Sequence, residues 1–340
     1  MSNKDIIILG IESSCDDTSA AILQNEAILS NRIAGQEVHR EYGGVVPELA
    51  SRAHQQNIVP VVEAAIQTAQ INKNDIDAIA FTRGPGLLGS LIVGTSFAKA
   101  FAMGMQIPMV EVNHMKAHIL AHFIDDPERE KPNFPFMCLT VSGGHTQLVI
   151  VNDYDDMEVV GTTKDDAAGE AFDKTAKLLG LPYPGGPIID RYAQEGDPTQ
   201  IKFSKSNVPD FDFSFSGLKT NVLQVLQKKQ KQDSNFVQDH IKAICASVQT
   251  TILDMLFDKL IKAMKHYNIK EVAIAGGVSA NSELRQRLRD TGNQYGWKTH
   301  IPRFEYCTDN AAMVAIAGRY EYLNGHFADQ SISASARLKV

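Results

Sequence analysis

Two histidines stand four residues apart in "NHMKAH", residues 113–118. On a helix, His114 and His118 would face the same side, so both rings could reach one metal ion. The same spacing occurs in the HExxH zinc proteases, where the residue after the first histidine is the glutamate general base. Met115 takes that position here. Alone, the histidine pair could be part of a metal site or two ordinary surface histidines. The motif lacks the general base of the proteases.

Three glycine-rich loops could bring backbone N–H groups close to a phosphate. They are "RGPGLLGS" (83–90), "VSGGHTQ" (141–147) and "AGGVSANSE" (275–283). Glycine allows a close approach, and successive N–H groups form an anion nest. No Gly-Lys-Ser/Thr follows the glycines, and no GxGxxG follows the first strand, so a P-loop NTPase and a nicotinamide enzyme are not supported. A tight turn is the better interpretation of any one loop alone, but three together favour a nucleotide-like ligand.

The elements that carry these loops repeat a plan. Segments 6–34 and 136–163 each read as three strands joined by polar turns, and 76–104 and 269–292 each read as strand, glycine loop and helix. Such units build mostly parallel sheets whose ligands bind beyond the carboxyl ends of the strands. The sequence therefore predicts a duplicated α/β fold with two lobes and a cleft between them, with a single large α/β domain as the alternative.

Helical segments and a charged linker complete this organisation. The linker "DDPEREKPNFP" (125–135) predicts a first lobe over 1–134 and a second over 135–309, followed by a C-terminal helix in 310–340 that packs back on the first lobe. Segment 47–69 is helix-like, with Pro60 predicting a break or kink. Segment 234–268 predicts one or two long packed helices.

Composition sets the broad class. The chain has 340 residues, with 44% apolar and 21% charged residues, as in soluble globular proteins. No secretory leader opens it, and we find no stretch long and uncharged enough to span a bilayer. Four scattered cysteines without a CxxC pair do not suggest a disulfide framework or a structural zinc site. A reducing cytoplasm and no membrane partner are the expectation.

The charge balance limits how a nucleic acid could bind. The net charge is −7, so any contact with a polyanion would need a local basic patch. Segment 217–232 is helix-like and carries Lys219, Lys228, Lys229 and Lys231. It predicts either salt-sensitive phosphate contacts or a solvated helix face.

A series of motifs, taken together, carries a family resemblance. In chain order they are "GIESSCDDT", "RGPGLLGSL", "NHMKAHILAH", "VSGGHTQL", "AAGEAFDK", "GGPIIDR", "FSFSGLKT", "AGGVSAN" and "CTDNAAM". The duplicated lobes resemble the actin, sugar kinase and Hsp70 superfamily, and the motifs resemble the bacterial type of the tRNA N6-adenosine threonylcarbamoyltransferase family over about residues 6–320. The resemblance implies an actin-like two-lobe fold.

The resemblance also completes the metal site. A catalytic metal needs a third protein ligand and an open position, and the resemblance selects Asp309 beside His114 and His118. It implies one divalent transition metal, Fe²⁺ by preference or Zn²⁺. His122 extends the histidine stripe and is interpreted as a neighbour of the site, and Cys307 as a small buried hydrophobe.

The resemblance further implies a donor-binding set. Asp173 would bind the ribose hydroxyls, with Asp190 as a second partner, Gly186 would approach the nucleoside and Asn281 would lie by the adenine. Glu12 is a lesser candidate that faces the cleft and positions water or a base. Two carboxylates on helices could equally be solvated, and Asn281 could be only a helix cap. The stretch implied to line the phosphate and carbamoyl region is Thr140, Val141, Ser142, Gly143 and Gly144.

The implied reaction moves the threonylcarbamoyl group of threonylcarbamoyl-AMP to N6 of the adenosine 3′ of the tRNA anticodon, in tRNAs that read codons beginning with A, and releases AMP. The implied partners are tRNA, the adenylate donor, an inactive paralogue of the same fold and a P-loop ATPase. Segment 90–105 is a candidate docking face for the paralogue, or simply a core helix. Alternative functions are a metal-dependent endopeptidase, a non-catalytic nucleotide-binding scaffold, and a kinase or ATPase of the superfamily.

Overall fold

The chain divides into two compact units. The computed structural model describes residues 5–36, 38–206 and 208–339. The first unit holds the described residues up to Pro132, the segment Asp153–Met157 and the described residues from Pro302 onwards. The second unit holds Asn133–Asn152 and Glu158–Ile301, with Asn207 outside the described residues. The first boundary between the units thus falls inside the predicted linker, 125–135. The chain returns to the first unit at Pro302, eight residues before the predicted boundary at residue 310.

Each unit is built on a five-stranded sheet. The first sheet has the order β3-β2-β1-β4-β5 and the second β10-β9-β6-β7-β8, so the second sheet repeats the first in sequence order. In each, an antiparallel pair (β1 with β2, β6 with β7) continues into parallel neighbours (β1 with β4, β6 with β9). The strands are β1 Ile7–Glu12, β2 Thr18–Gln24, β3 Ala27–Ala34, β4 Ala78–Gly84, β5 Met109–Asn113, β6 Phe136–Val141, β7 Thr146–Val151, β8 Met157–Thr162, β9 Glu271–Ala275 and β10 Lys298–His300.

The helices follow the predicted segments closely. Short 3₁₀ turns occur at Lys73–Asp75, Ala121–Phe123, Gly277–Ala280 and Phe304–Tyr306. The α-helices are α1 His39–Tyr42, α2 Pro47–Ala69, α3 Leu88–Met105, α4 His114–Leu120, α5 Ala168–Leu178, α6 Gly185–Ala193, α7 Ser216–Gln230, α8 Phe236–Asp239, α9 Ile241–Tyr267, α10 Ser282–Tyr295 and α11 Ala311–Leu323.

The first sheet has helices on both faces, because successive residues of β1 point to opposite sides. Leu9 and Ile11 join a buried cluster with residues of α2 and α3. Gly10 points the other way, towards α11, where a Cβ on it would come within 2.4 Å of the Ala311 carbonyl oxygen. Helix α11 packs against β1, β2 and β4 in this unit.

Two details of the first unit bear on the sequence predictions, which were a break or kink at Pro60 and no stretch able to span a bilayer. Helix α2 runs through Pro60 without a break. Pro60 and Gln56, whose carbonyl would lose its partner to the proline, are both exposed, so water can satisfy that carbonyl. The expectation that no stretch could span a bilayer is wrong for α3, which is long and apolar enough by length and composition. In this structure α3 packs against α2 and β4.

The second unit packs its helices around a larger core. Strands β6, β7 and β9 contribute buried apolar side chains, and α5, α6, α7 and α9 cover them. The predicted long helical segment forms α8 and α9, which are separated at His240. All four cysteines are free in this structure.

Candidate functional site

The two histidines of "NHMKAH" lie on one short helix in the first unit. Asn113 ends β5 and caps α4, because its side-chain oxygen accepts hydrogen bonds from the backbone N–H of Met115 at 2.9 Å and of Lys116 at 3.2 Å. His114 is the first residue of α4, and His118 follows one turn later on the same face. Their ring centroids are 4.7 Å apart with an interplanar angle of 85°.

Asp309 brings a carboxylate to these rings from just before α11. Asn310 caps α11 by accepting from the Met313 N–H at 3.0 Å. Asp309 Oδ1 lies 3.2 Å from His118 Nε2 and 3.5 Å from His114 Nε2. His114, His118 and Asp309 form a group, with ligand atoms within 4.8 Å of one another, that could hold a metal ion; in the described part of the chain His122 is not a member.

The donor set and spacing suit a divalent transition metal. Two imidazole nitrogens and one carboxylate oxygen are ligands that both iron and zinc accept. Atoms bound to one such ion lie about 3 to 3.5 Å apart, which agrees with the distances from Asp309 Oδ1. His114 has an outer carboxylate partner, as metal-binding histidines usually do. Among the described residues, His118 Nδ1 is buried without a hydrogen-bond partner.

Glu12, expected to face the cleft, is fully buried behind His114. Its exposed fraction is 0%. Its Oε2 accepts a hydrogen bond from Thr82 Oγ1 at 2.7 Å and lies 3.1 Å from His114 Nδ1, and its Oε1 accepts from the backbone N–H of Ser14. The carboxylate therefore contacts the ring from the side opposite the Asp309 contact.

Neighbouring charges change the protonation of this cluster. Burial lowers the pKa of His114, but the carboxylates of Asp309 and Glu12 outweigh it and raise the pKa from 6.5 to about 9. Burial raises the pKa of Glu12, yet the charge of His114 and its hydrogen bond hold that pKa below 4.5. A proton and a metal ion would therefore compete for His114.

The second unit has a pocket beside its sheet, with a volume of about 300 Å³. Five of the predicted donor-binding residues line it, together with Gly169, Phe172, Pro184, Pro187 and the Gly277–Ala280 turn. Phe172 was missed by the sequence reasoning, although it stands next to Asp173 in "EAFDK". The five predicted residues are Gly143, Asp173, Gly186, Asp190 and Asn281.

The remaining residues of the 140–144 stretch are placed differently. Thr140 and Val141 are the last residues of β6 and are fully buried. Ser142 and Gly144 flank Gly143 but do not line the pocket. The structure therefore brings Gly143 alone of this stretch into the pocket wall.

Asp173 faces the start of α6. Its Oδ1 accepts hydrogen bonds from the backbone N–H groups of Gly185 at 2.8 Å and Gly186 at 3.3 Å. Burial raises the pKa of the Asp173 carboxyl, and the two N–H groups only partly offset that effect. Asp173 thus connects α5 to α6 and fixes the glycine-rich turn of the pocket wall.

Asp190 and Asn281 also make structural contacts. The Asp190 carboxylate accepts from the Ser282 N–H at 3.0 Å and from Ser282 Oγ at 2.8 Å. Asn281 caps α10 by accepting from the Leu284 N–H at 2.9 Å, and its Nδ2 donates to Gln249 at 2.7 Å. The helix-cap alternative for Asn281 is therefore present in the structure, alongside its place in the pocket wall.

The first glycine loop is covered by the chain itself. The Gly86 N–H donates to the Ala336 carbonyl at 3.3 Å, and the Ser335 N–H donates to the Arg83 carbonyl at 2.9 Å. A Cβ on Gly84 would lie 1.8 Å from the Ser335 carbonyl oxygen. Glycine is needed at Gly84 because the C-terminal segment packs directly on it, which explains this loop without a phosphate.

Three solved structures share this fold at low sequence identity. Full-length HypF in its phosphate- and nucleotide-bound form has a TM-score of 0.61 at 13% identity, over 94% of this chain and 46% of HypF. The activator of the 2-hydroxyisocaproyl-CoA dehydratase from Clostridium difficile has a TM-score of 0.53 at 13% identity, over 94% of this chain and 97% of the activator. A ROK hexokinase from Thermus thermophilus has a TM-score of 0.51 at 14% identity, over 94% of this chain and 100% of the hexokinase. The chain has the fold of the actin, sugar kinase and Hsp70 class.

Closer relatives define the family. The model of the tRNA N6-adenosine threonylcarbamoyltransferase family matches residues 27–316, and the chain belongs to that family. Proteins of that name from Christiangramia forsetii, Riemerella anatipestifer and Porphyromonas gingivalis are 62%, 59% and 58% identical, each over at least 99% of both chains. The predicted family, actin-like fold and transferase activity are confirmed.

Proposed function

We propose that this chain transfers the threonylcarbamoyl group of threonylcarbamoyl-AMP to N6 of the adenosine 3′ of the tRNA anticodon, with release of AMP. The observation that carries the proposal is the family match over residues 27–316, with relatives up to 62% identical over the whole chain. The transfer forms a bond from the N6 nitrogen to the carbamoyl carbon and breaks the bond from that carbon to the phosphate oxygen. It therefore needs a held donor and a polarised carbonyl more than a nucleophilic side chain.

The pocket of the second unit is the proposed site for the adenylate. Gly143 and Gly186 place backbone without side chains in its wall, and Phe172 offers an apolar surface. Asp173 binds the α6 backbone through Oδ1, and we assign its Oδ2 to the ribose hydroxyls, since a carboxylate oxygen accepts such donors. These contacts support the nucleoside end of the donor in this pocket.

The other donor residues have narrower proposed roles. Asp190 keeps unused lone pairs beyond its bonds to Ser282, and we assign it a second ribose hydroxyl. Asn281 keeps one N–H beyond its bond to Gln249, and we assign that N–H to the adenine. Of the stretch Thr140 to Gly144, we assign the phosphate and carbamoyl region to the backbone from Ser142 to Gly144, since the first two residues are buried.

His114, His118 and Asp309 are the proposed ligands of one divalent transition metal, Fe²⁺ by preference or Zn²⁺. When bound, such an ion would polarise carbonyl and phosphate oxygens of the donor. The chain's own contribution is to hold both Nε2 atoms on one face of α4 and to keep both rings buried. Burial excludes competing water from the rings and strengthens nearby charge interactions.

The RNA surface and the location are also proposals. Lys219, Lys228, Lys229 and Lys231 are exposed on or just beyond α7, and we propose that they contact tRNA phosphates. Such contacts would compensate for a net charge of −7 and weaken with added salt. Since tRNA is the substrate, we place the protein in the cytoplasm.

We propose that the inactive paralogue docks on α2 and α3, and that a P-loop ATPase completes the assembly. This face exposes 58% of Val59, 49% of Ile92 and 67% of Met103. Val59 also lines an apolar groove between the two helices, together with Phe97 and Phe101. A Met103→Glu variant should bind the paralogue more weakly in a pull-down without a change in its own unfolding midpoint.

The proposed function is tested by supplying the purified protein with threonylcarbamoyl-AMP, tRNA and the partners, and counting modified adenosine by nucleoside mass spectrometry. His118→Ala should lower the yield by more than the about 10- to 100-fold that the loss of an outer-shell partner costs, because it removes a ligand itself. His122→Ala is the matched control, one turn further on and outside the ligand group, and should keep most of the yield. Equal losses in both variants would refute the assigned metal site.

The endopeptidase alternative has a direct test in the same samples. Met115, at the position of the protease base, is an apolar side chain and is buried. We expect incubation with casein to release no fragments above the level of a His118→Ala control. Fragments that depend on His118 would revive that alternative.

A further inference from the structure

The buried carboxylate of Glu12 accepts hydrogen bonds from three sides. The Ser14 N–H reaches Oε1, Thr82 Oγ1 reaches Oε2 at 2.7 Å, and His114 Nδ1 lies 3.1 Å from Oε2. Glu12 has no exposed surface, so it cannot itself touch a donor substrate or bulk water. Its position points to a role that acts through one of these three neighbours.

The first sheet fixes this arrangement. Strand β4 lies between β1 and β5, and all three run parallel, so their carboxyl ends meet at one edge. Ile11 pairs with Phe81 in the register of β1 and β4, which places Glu12 beside Thr82. His114 follows directly after β5. The contact between Glu12 and His114 is therefore set by strand register and does not depend on a mobile loop.

The hydrogen-bond chemistry selects one form of the His114 ring. An ionised carboxylate only accepts hydrogen bonds, so Nδ1 must carry the proton that faces Glu12. Ser14 Oγ also lies 3.2 Å from Nδ1. If Ser14 donated to Nδ1, the ring would present a lone pair to the Glu12 carboxylate, which is unfavourable. Ser14 Oγ can instead share the Nδ1–H as an acceptor.

We propose that Glu12 is a positioning residue that keeps the His114 ring as the Nδ1–H form, with the Nε2 lone pair free for the metal. This rests on the proposed function in that His114 is one of the proposed ligands. His114 Nε2 is the ring atom that faces Asp309, at 3.5 Å. Outer carboxylates of this kind fix the orientation and raise the basicity of a metal-bound imidazole.

His114 and His118 differ in whether Nδ1 has a carboxylate partner. Within the described residues, His118 Nδ1 is buried and has no hydrogen-bond partner. Glu12 is therefore the side chain that controls the ring form of this pair, and it does so at His114 alone. A change at Glu12 should alter metal binding through one ligand and leave the other in place.

Glu12→Gln tests the proposal because the side chain keeps its size. An amide has one accepting oxygen, while the Ser14 N–H on one side and the donors of Thr82 and His114 on the other all need an acceptor. If the amide NH₂ turns to His114, Nδ1 must lose its proton and Nε2 must carry it. If it turns to Ser14, two donors face each other. In the first case the metal-binding form of His114 is lost, and in the second the neutral amide oxygen holds the Nδ1–H less strongly than the carboxylate does.

The measurement is Zn²⁺ affinity by competition with a chromophoric chelator on the full chain. Glu12→Gln should weaken Zn²⁺ binding by about 10- to 100-fold, the range for lost outer-shell partners. Thr82→Val is the matched control, because it removes a donor to the same carboxylate without touching His114, and its affinity should stay within about threefold of wild type. An unchanged affinity in folded Glu12→Gln, or equal losses in both variants, would overturn the proposal.

A second readout does not depend on any variant folding. In Zn²⁺-loaded wild type labelled with ¹⁵N-histidine, one histidine should show a protonated Nδ1 whose proton exchanges slowly because it is buried against Glu12. The absence of such a protected Nδ1–H in the wild type overturns the proposal. A wild type that transfers the threonylcarbamoyl group but binds no Zn²⁺ or Fe²⁺ overturns both this inference and the proposed metal site. Normal metal binding and transfer with unchanged Glu12→Gln affinity overturns the inference alone.

Discussion

A single methyl group at Gly186 tests whether a nucleoside lies in the pocket of the second unit. Gly186 lines that pocket in the first turn of α6. A Cβ added there would meet nothing nearer than Phe172 Cβ at 3.9 Å, an ordinary contact distance. Gly186→Ala should therefore fold at least as stably as the wild type, since alanine favours a helix over glycine by up to about 1 kcal/mol.

The same methyl group would occupy space that a bound nucleoside needs. Overpacking a close contact by one carbon costs about 1 to 3 kcal/mol, which corresponds to about 5- to 150-fold weaker binding at 25 °C. The assay is isothermal titration of AMP, the nucleotide part of the donor, into wild type and Gly186→Ala. Urea unfolding of the same samples gives their stability.

Gly185→Ala is the matched control one residue earlier. Its added Cβ would lie 2.2 Å from Ala176 Cβ, inside the packing of α5 against α6. It should lower the free energy of unfolding by at least about 1 to 3 kcal/mol while the folded fraction still binds AMP. AMP binding by Gly186→Ala that equals the wild type would refute the placement of the nucleoside against this glycine.

Three further outcomes are expected from the first unit. Gly10→Ala should lower the free energy of unfolding by about 1 to 3 kcal/mol in urea, because its Cβ would lie 2.4 Å from the Ala311 carbonyl oxygen; unchanged stability would contradict the packing of α11 on β1. Burial raises the pKa of Glu26, but the hydrogen bond and charge of Lys131 hold that pKa below its ordinary value of 4.5. The ion pair therefore stabilises the folded state above pH 4.5, and this stabilisation is lost as the pH falls through the lower pKa of the folded state. Glu26→Gln should therefore reduce the acid-side slope of unfolding free energy against pH, and an identical slope would count against this ion pair. Removal of metal by a chelator should stop transfer without a change in circular dichroism, since Asn113 caps α4 without an ion. Added Fe²⁺ or Zn²⁺ should restore transfer. A loss of helical signal on chelation would show that the metal is structural.

Local patterns predicted most of the fold. The two copies of strand–turn–strand and of strand–glycine loop–helix became the two matching sheets, because alternation and turn residues act over short distances. The metal pair was likewise local, since four-residue spacing on a helix puts both rings on one face. The third proposed ligand, Asp309, could not be predicted from a local pattern, because it lies 191 residues beyond His118 and only the fold brings the two together.

Other features depended on contacts between distant segments. The burial of Glu12 follows from its place between β4 and α4, which its own turn sequence does not specify. The glycines at 83–90 suggested a phosphate loop, yet Gly84 is needed because the C-terminal segment packs on it. Pro60 predicted a break or kink, and its exposed position lets α2 continue without a break. At Glu12 and Gly84, contacts with distant segments decided between two locally reasonable interpretations, and at Pro60 exposure to solvent did.

Transfer of an intact threonylcarbamoyl group to tRNA is the activity that all the proposed site residues serve. The most direct measurement supplies threonylcarbamoyl-AMP with a ¹³C-labelled carbamoyl carbon, together with unmodified tRNA, the partners and metal. We predict labelled N6-threonylcarbamoyladenosine at the position 3′ of the anticodon, in amounts equal to the AMP released in excess of a control without tRNA. Labelled donor that is consumed only by hydrolysis, with no labelled adenosine in tRNA, would contradict the proposed transfer.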